Sequence, residues 1–277
     1  MAHEVRVPLT ENGDWSQRML LLADLHIDNP HSDLPLIKRT LEEARKTGAR
    51  IYLFGDTFCA MQGKYDPRGS KADVRPEHQV NNYLDAIVEW TADILGPYAD
   101  LIDIIGYGNH ETSVLKRQES DLVQRLVAVL NDRNKSNIET GTYAGYVVWR
   151  FMSGPKTNTH ILHYDHGSGG GGPVTRGVIG TNRRAVYVAD AHTVATGHIH
   201  ERWLLEISRE RIDKRGRVKL DIQTHVQLGT AKEERGPGIG FHVERGRGPK
   251  PLGWWWLEHY WDGQAKEVRT RYLMTDR

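Results

Sequence analysis

"RMLLLADLHID" (residues 18–28) is the stretch that decides the fold. Met19 to Ala23 form a short apolar run, which predicts a buried strand, and polar residues gather at its C-terminal end. "LPLIKRTLEEARKTGA" follows at once, with apolar side chains at 34, 36, 37, 41 and 44 on one helical face and Gly48 as a stop. "RIYLFGDT" (50–57) is a second strand ending in a glycine and an acid. "EHQVNNYLDAIVEWTADILGPYA" (77–99) predicts a long amphipathic helix closed by Gly-Pro. "LIDIIGYGNHE" (101–111) is a third strand with polar residues past its end, and "SVLKRQESDLVQRLVAVLN" (113–131) predicts one further helix. This βαβαβα order predicts an α/β fold with a mostly parallel sheet covered by helices.

From about residue 141 the texture changes. "GYVVWRFM", "THILHYDH", "RAVYVAD", "TVATG", "RWLLEISRE", "RVKLDIQTHVQL", "GFHVERG" and "GWWWLEHYW" read as short strands punctuated by Gly and Pro. No low-complexity linker and no internal repeat interrupts them. The expectation is one domain over residues 1–277, with a motif-bearing part at 18–205 and a β-rich part at 206–277. A second, mixed sheet would lie against the first.

Composition narrows the class. Hydrophobic residues are 38% of the 277 and charged residues 26%, as in soluble globular chains. Against 37 basic residues stand 36 acidic ones, so the formal charge of +1 excludes a strongly basic nucleic-acid coat. Cys59 is the only cysteine, so no intrachain disulfide forms, and a reducing compartment suits the chain. "MAHEVRVPLTENGDW" has no cationic flank before an apolar core, and no apolar run approaches the ~20 residues of a membrane span. A cytoplasmic protein is expected.

Sites in open α/β sheets form beyond the carboxyl ends of the strands. Here those ends carry Asp24 and His26 in "ADLHID", Asp56 in "LFGDT", Asn109 and His110 in "YGNHE", and His198 and His200 in "ATGHIH". The histidine-rich stretch "THILHYDHGSGGGG" (159–172) makes a fifth such end. Each alone is as well explained by a turn or a cap. Five in order, each closing an apolar run, are not.

The series "DLH", "GD", "GNHE", "HG", "GHIH" resembles the calcineurin-like metallophosphoesterases, closest in pattern to their nuclease and phosphodiesterase branch. The motifs span residues 24–200. The phosphoprotein phosphatase branch carries Asp-Arg-Gly after its second motif, where this chain has "GDTFCAMQG", so that branch is not expected. The resemblance implies a four-layer α/β/β/α sandwich of two mixed sheets flanked by helices, with two divalent metals between strand ends. Asp24, His26, Asp56 and His200 would hold one metal. Asp56, as a bridge, with Asn109, His198 and the "HG" histidine would hold the other. The resemblance also makes His110 the general acid of a phosphoester hydrolysis in which a metal-bridging hydroxide attacks phosphorus.

The donor chemistry agrees with that implication on its own terms. Carboxylate, imidazole and amide oxygen suit Mn²⁺, Fe²⁺, Zn²⁺ or Ni²⁺, with Mg²⁺ also open and Mn²⁺ favoured. Two divalent ions against Asp24, Asp56 and a hydroxide leave the site net positive, as an anionic phosphoester needs. Paired ions ~3.5–4 Å apart hold both nucleophile and phosphoryl oxygens, and a shared acid such as Asp56 sets that spacing. Alternate side chains of a strand face opposite ways, so His160, His163 and His166, spaced by three, do not all face the metals. His166 comes last, before Gly167, where the chain leaves the sheet, and is the expected ligand, with His163 the runner-up. Asp165 is either a partner that orients a ligand histidine or a solvated acid. The G-x-G-x-x-G from Gly167 to Gly172 is followed by Pro173 and reads as a tight loop beside the metals rather than a nucleotide fingerprint. Glu111 is expected to cap the helix after it, with orientation of His110 as the alternative. Cys59 is expected as a small buried residue.

Substrate-side features are softer. The irregular segment 60–78 carries Lys64, Arg68, Lys71 and Arg75, and is either a lid in which Arg68 and Arg75 contact phosphates or a solvated loop. In "GWWWLEHYW" at least two of Trp254, Trp255 and Trp256 are expected in the core, although aromatics in this region would also stack bases. The substrate expected is a phosphodiester in nucleic acid, a single strand or an end, with no membrane partner. The alternatives are a phosphomonoesterase or cyclic-nucleotide phosphodiesterase on small molecules, a one-metal oxidoreductase, and a binding protein that keeps the metal sandwich without chemistry.

Overall fold

The computed structural model describes residues 2–61, 69–212, 215–233, 243, 246 and 248–276. In chain order β1 (Ala2–Pro8) and β2 (Ser16–Leu22) precede α1 (Leu34–Thr47), β3 (Arg50–Phe54), α2 (Tyr83–Leu95) and β4 (Ile102–Gly106). Helices α3 (Asn109–Gln118) and α4 (Leu122–Asn134) follow, then β5 (Glu139–Thr140), β6 (Ala144–Ser153) and β7 (Lys156–Asp165). The chain continues through α5 (Val178–Tyr187), β8 (Thr193–Thr196), β9 (Trp203–Ile212), β10 (Val218–Gln227), β11 (Trp255–Asp262) and β12 (Glu267–Met274).

The strands form two six-stranded mixed sheets, ordered β12-β11-β2-β3-β4-β5 and β1-β6-β7-β8-β10-β9. Within the first, β2, β3, β4 and β5 run parallel, and β11 joins β2 antiparallel. Strand β2 shows why the sheets lie face to face. Its Leu20 and Leu22 enter the core under the helices, while Met19 and Leu21 enter the core between the sheets. A strand buried on both faces reads as an unbroken apolar run, as this one does. The inter-sheet core joins Tyr52, Phe54 and Ile104 from one sheet to Trp149, Phe151, Leu162 and Tyr164 from the other. The Phe54 and Tyr164 rings stack across it at 4.6 Å.

Local signals set the helix ends. The Asp33 carboxylate accepts the Leu36 N–H at 2.9 Å to open α1, and Gly48, at φ +62°, closes it in the left-handed region. Helix α2 begins later than its apolar pattern, at Tyr83, after a short 3₁₀ turn at Pro76–His78. The single helix expected over 113–131 is two. Glu119 turns left-handed (φ +53°) to end α3, and the Asp121 carboxylate accepts the Gln124 N–H to start α4.

One further expectation changes. "RAVYVAD" is not a strand, because Arg184 to Tyr187 close α5, where Val186 and Tyr187 are exposed rather than alternating into a core. The outer layers are unequal. Helices α1, α2, α3 and α4 all bury side chains against the first sheet, whereas α5 is the one helix beside the second among the described residues. Most of "GFHVERG" lies outside the described residues.

Candidate metal centre

The expected ligands all lie just past strand ends, and the backbone there is strained. Asp24, His26, Asp56, His198 and His200 have φ of 54°, 42°, 49°, 74° and 56°. Left-handed backbone is uncommon for residues with a side chain and persists where the surroundings force it. Here it turns each loop sharply enough to aim side chains back over the sheet edge. Close approach needs missing side chains as well. A Cβ on Gly108 would lie 2.1 Å from Asp56 Oδ1, and one on Gly55 (φ +94°) 2.6 Å from His166 Nδ1.

The two carboxylates are held alike. Asp24 Oδ2 accepts the His198 N–H at 2.8 Å and Asp56 Oδ1 accepts the His110 N–H at 3.0 Å. The latter amide opens α3, where a helix N-terminus favours negative charge. The second oxygen of each faces the histidines. Asp24 Oδ1 lies 3.3 Å from His200 Nε2 and 3.9 Å from His26 Nε2. Asp56 Oδ2 lies 3.2 Å from His166 Nε2 and 3.9 Å from His26 Nε2. Asp24, His26 and His200 make one donor group and Asp56, His166 and His198 a second. Asn109 Oδ1 joins the second, 3.1 Å from His166 Nε2 and 2.7 Å from His198 Nδ1. Asp56 Oδ2 faces both groups, which is the placement a bridging ligand needs.

The histidine rings are oriented for coordination. His166 Nδ1 sits 3.0 Å from the Phe54 carbonyl and His198 Nε2 sits 2.9 Å from the Gly169 carbonyl. A proton on each of those nitrogens turns the other nitrogen's lone pair into the cluster, as outer partners of metal-binding histidines do. Asp24 Oδ1 is buried without a hydrogen-bond partner. An orphaned carboxylate oxygen between two imidazoles fits a cation, since burying charge unpaired is expensive. Electrostatics points the same way. Burial opposes charge on His166, yet the Asp56 carboxylate outweighs it and pushes the ring up to about 10. Burial also opposes ionisation of Asp56, but His166 and His110 hold its carboxyl well below the usual range. The Asp56 carboxylate thus attracts positive charge, whereas burial lowers His26 and His198 and favours their neutral, lone-pair-bearing forms; both are conditions that suit a divalent cation. The donor set of carboxylate, imidazole and amide oxygen suits such ions.

His110 lies outside these two groups, in a third possible donor group with His26 and Cys59. Its Nδ1 is 2.5 Å from the Cys59 carbonyl and its Nε2 is 3.9 Å from Asp56 Oδ2. Cys59 is fully buried, and burial pushes its thiol up to about 12, so it offers no thiolate at neutral pH. Two buried carboxylates, Glu111 and Asp28, hold the loops of the site. Glu111 caps α3 through the Gly108 N–H at 2.8 Å, and it also accepts the Asp56 N–H at 3.1 Å and the Phe58 N–H at 2.9 Å. Asp28 accepts the Cys59 N–H at 2.5 Å and the Ala60 N–H at 2.9 Å. The cap at Glu111 is the one expected; its hold on the Asp56 and Phe58 amides, and the role of Asp28, have no sequence signal beyond closeness to a motif.

Other expected residues fall elsewhere. His163 faces away from the centre, edge-on to the Tyr146 ring at 4.8 Å, and His160 lies in the interior beside His259. Asp165 orients no ligand ring, since it accepts from the Gly167 N–H and from Arg184 Nε. Arg75 lies over the Trp90 ring at 5.2 Å, and its Nη2 is 3.4 Å from the Ser32 carbonyl. Arg68 and Lys64 lie outside the described residues. Trp254, Trp255 and Trp256 are all buried, so they present no face on which a base could stack.

No family model and no curated protein matches the chain. Among solved structures it is similar to GAP50, the anchor in the inner membrane complex of Plasmodium, at 12% identity and a TM-score of 0.43 over 95% of this chain and 90% of that one. A metallophosphoesterase from Sphaerobacter thermophilus is similar at 14% identity and a TM-score of 0.35 over 94% and 89%. Vps29 from Entamoeba histolytica, complexed with zinc, is similar at 11% identity and a TM-score of 0.34 over 93% and 99%. At these scores the likeness carries no weight for activity, and the set includes an anchor as well as a phosphoesterase.

Proposed function

We propose that this chain is a calcineurin-like metallophosphoesterase that hydrolyses phosphodiesters with two divalent metal ions. The observation that carries the proposal is the pair of donor groups that meet at Asp56 Oδ2, with the His110 ring at their edge. Asp24, His26, Asp56 and His200 would hold one ion, and Asp56, Asn109, His166 and His198 the other. Such ions supply Lewis-acid stabilisation of phosphoryl oxygens and lower the pKa of bound water.

The chain's own residues supply orientation and a proton. His110 keeps a proton on Nδ1 for the Cys59 carbonyl, so Nε2 faces the centre. In the imidazolium form the Nε2 proton passes to the leaving oxygen as its bond to phosphorus breaks. The neutral ring left behind is the Nδ1–H form, which the carbonyl stabilises. Imidazole titrates in the range this exchange requires.

The diester is proposed to lie in nucleic acid, at a single-stranded end or a short strand. The "GNHE" and "GHIH" pair resembles the branch that contains nucleases, and a net charge of +1 suits a short footprint better than a long duplex. Mn²⁺ is the proposed ion. The test is Mn²⁺-dependent digestion of end-labelled single- and double-stranded DNA and RNA beside a panel of small phosphomonoesters, diesters and cyclic nucleotides. Cleavage of polynucleotides supports the reading. Turnover of small esters alone moves the substrate to small molecules, and no turnover of any ester, with metal bound, makes the chain a binding protein.

A further inference from the structure

We propose that Asp28 is a positioning residue for His110, acting through the peptide plane between Cys59 and Ala60. This rests on the reading of His110 as the proton donor. Asp28 is 1% exposed and touches none of the expected ligands through its carboxylate. Its Oδ1 accepts the Cys59 N–H at 2.5 Å, and its Oδ2 accepts the Ala60 N–H at 2.9 Å and the Tyr83 hydroxyl at 2.9 Å. Ala60 sits at φ +50°, so the chain turns left-handed at the point where these two amides converge on one carboxylate. Successive amides aimed at one anion form an anion-binding concavity, and here a buried side chain fills it.

The Ala60 N–H and the Cys59 carbonyl belong to one planar peptide unit. The chain has no cis bond among its described residues, so the two groups point in opposite directions. With the N–H fixed on Asp28, the carbonyl is aimed at His110, whose Nδ1 it meets at 2.5 Å. The carboxylate thus sets the plane, the plane sets the carbonyl, and the carbonyl sets which ring nitrogen of His110 keeps its proton. Tyr83, on α2, anchors the carboxylate from the far side. An amide at position 28 cannot repeat this, because its NH₂ would face an N–H or a hydroxyl that needs an acceptor.

The test uses the full chain loaded with Zn²⁺, labelled with ¹⁵N-histidine, as wild type, Asp28→Asn and the milder Tyr83→Phe, with His110→Ala to assign the ring signals. Wild type should show His110 protonated at Nδ1. Both variants should lose that single tautomer, Asp28→Asn more completely, while metal content stays at the wild-type level. Turnover should fall about 10–100-fold for an alkyl phosphodiester, part of the ~10²–10⁴-fold that general acid catalysis supplies. It should fall less for a nitrophenyl diester, whose leaving group needs no proton. His110 ring signals unchanged in both variants overturn the proposal, as does an equal loss on the two esters with metal retained. A wild type that cleaves no ester defeats the proposed function instead, and the ring signals still decide the role of Asp28.

Discussion

His259 makes the stability of this fold acid-sensitive by a calculable amount. Its ring is fully buried on β11, against Trp149 at 5.1 Å, Phe151 at 4.7 Å and the His160 ring at 4.8 Å. Nδ1 meets Thr270 Oγ1 at 3.0 Å and Nε2 has no partner. Burial, reinforced by the nearby His192, pushes the ring down to about 3. In the unfolded chain it titrates near 6.5. The folded-state value is the lower one, so the contribution of the neutral ring is intact above about pH 6.5 and is lost as the pH falls through that value towards 3. Between about pH 7 and pH 5, protonation of this one imidazole shifts the unfolding equilibrium toward the unfolded chain by roughly 1.4 powers of ten, or about 2 kcal/mol at 1.36 kcal/mol per tenfold. Urea unfolding in chelator, at both pH values, isolates this from metal release. His259→Asn keeps a polar group near Thr270 but does not titrate. It should be less stable at neutral pH, by about 1–3 kcal/mol of lost packing. Its further loss on acidification should be smaller than wild type's by about 2 kcal/mol. Equal losses in the two proteins would refute the reasoning and place the acid sensitivity elsewhere.

Two more outcomes follow from the centre. His110→Ala should keep wild-type metal content and lose about 10²–10⁴-fold in turnover of esters with poor leaving groups, with a smaller loss for nitrophenyl esters; kinetics on the two classes checks this. His166→Ala should lower bound metal by one ion per chain while His163→Ala leaves it unchanged, which elemental analysis of the purified variants reads directly.

Much of the fold was legible because β2, β3 and β4 are apolar on both faces and end in polar loops. The period-2 rule also separates His166 from His163, since the structure buries His163 against Tyr146 on the face away from the centre and brings His166 to Asp56. What escaped did so for physical reasons. Strands β1 and β12 are edge strands that carry exposed charge, Glu4 and Arg6 in one and Glu267 and Arg269 in the other, so neither shows an apolar run. The apolar period continues from α3 into α4 and hides the break, which lies in the backbone of Glu119 and the cap at Asp121. Of the apolar residues that suggested a strand at "RAVYVAD", Val186 and Tyr187 lie exposed on a helix end, and Val188 past it is buried against Ala191 and Val194 without forming a strand. Asp28 and Glu111 act on loop amides 31 and 53 residues away in the chain, a relation that only the folded backbone creates.

The central claim is that two metal ions share the Asp56 carboxylate, and the most direct measurement is metal stoichiometry after Mn²⁺ loading and removal of free ion, in wild type and Asp56→Asn. Asp56 Oδ2 is the atom that faces both donor groups, so one neutralised carboxylate should weaken both positions. Wild type should retain two ions per chain and Asp56→Asn neither at the same free-metal concentration. A variant that keeps both ions, or a wild type that holds only one, would contradict the account.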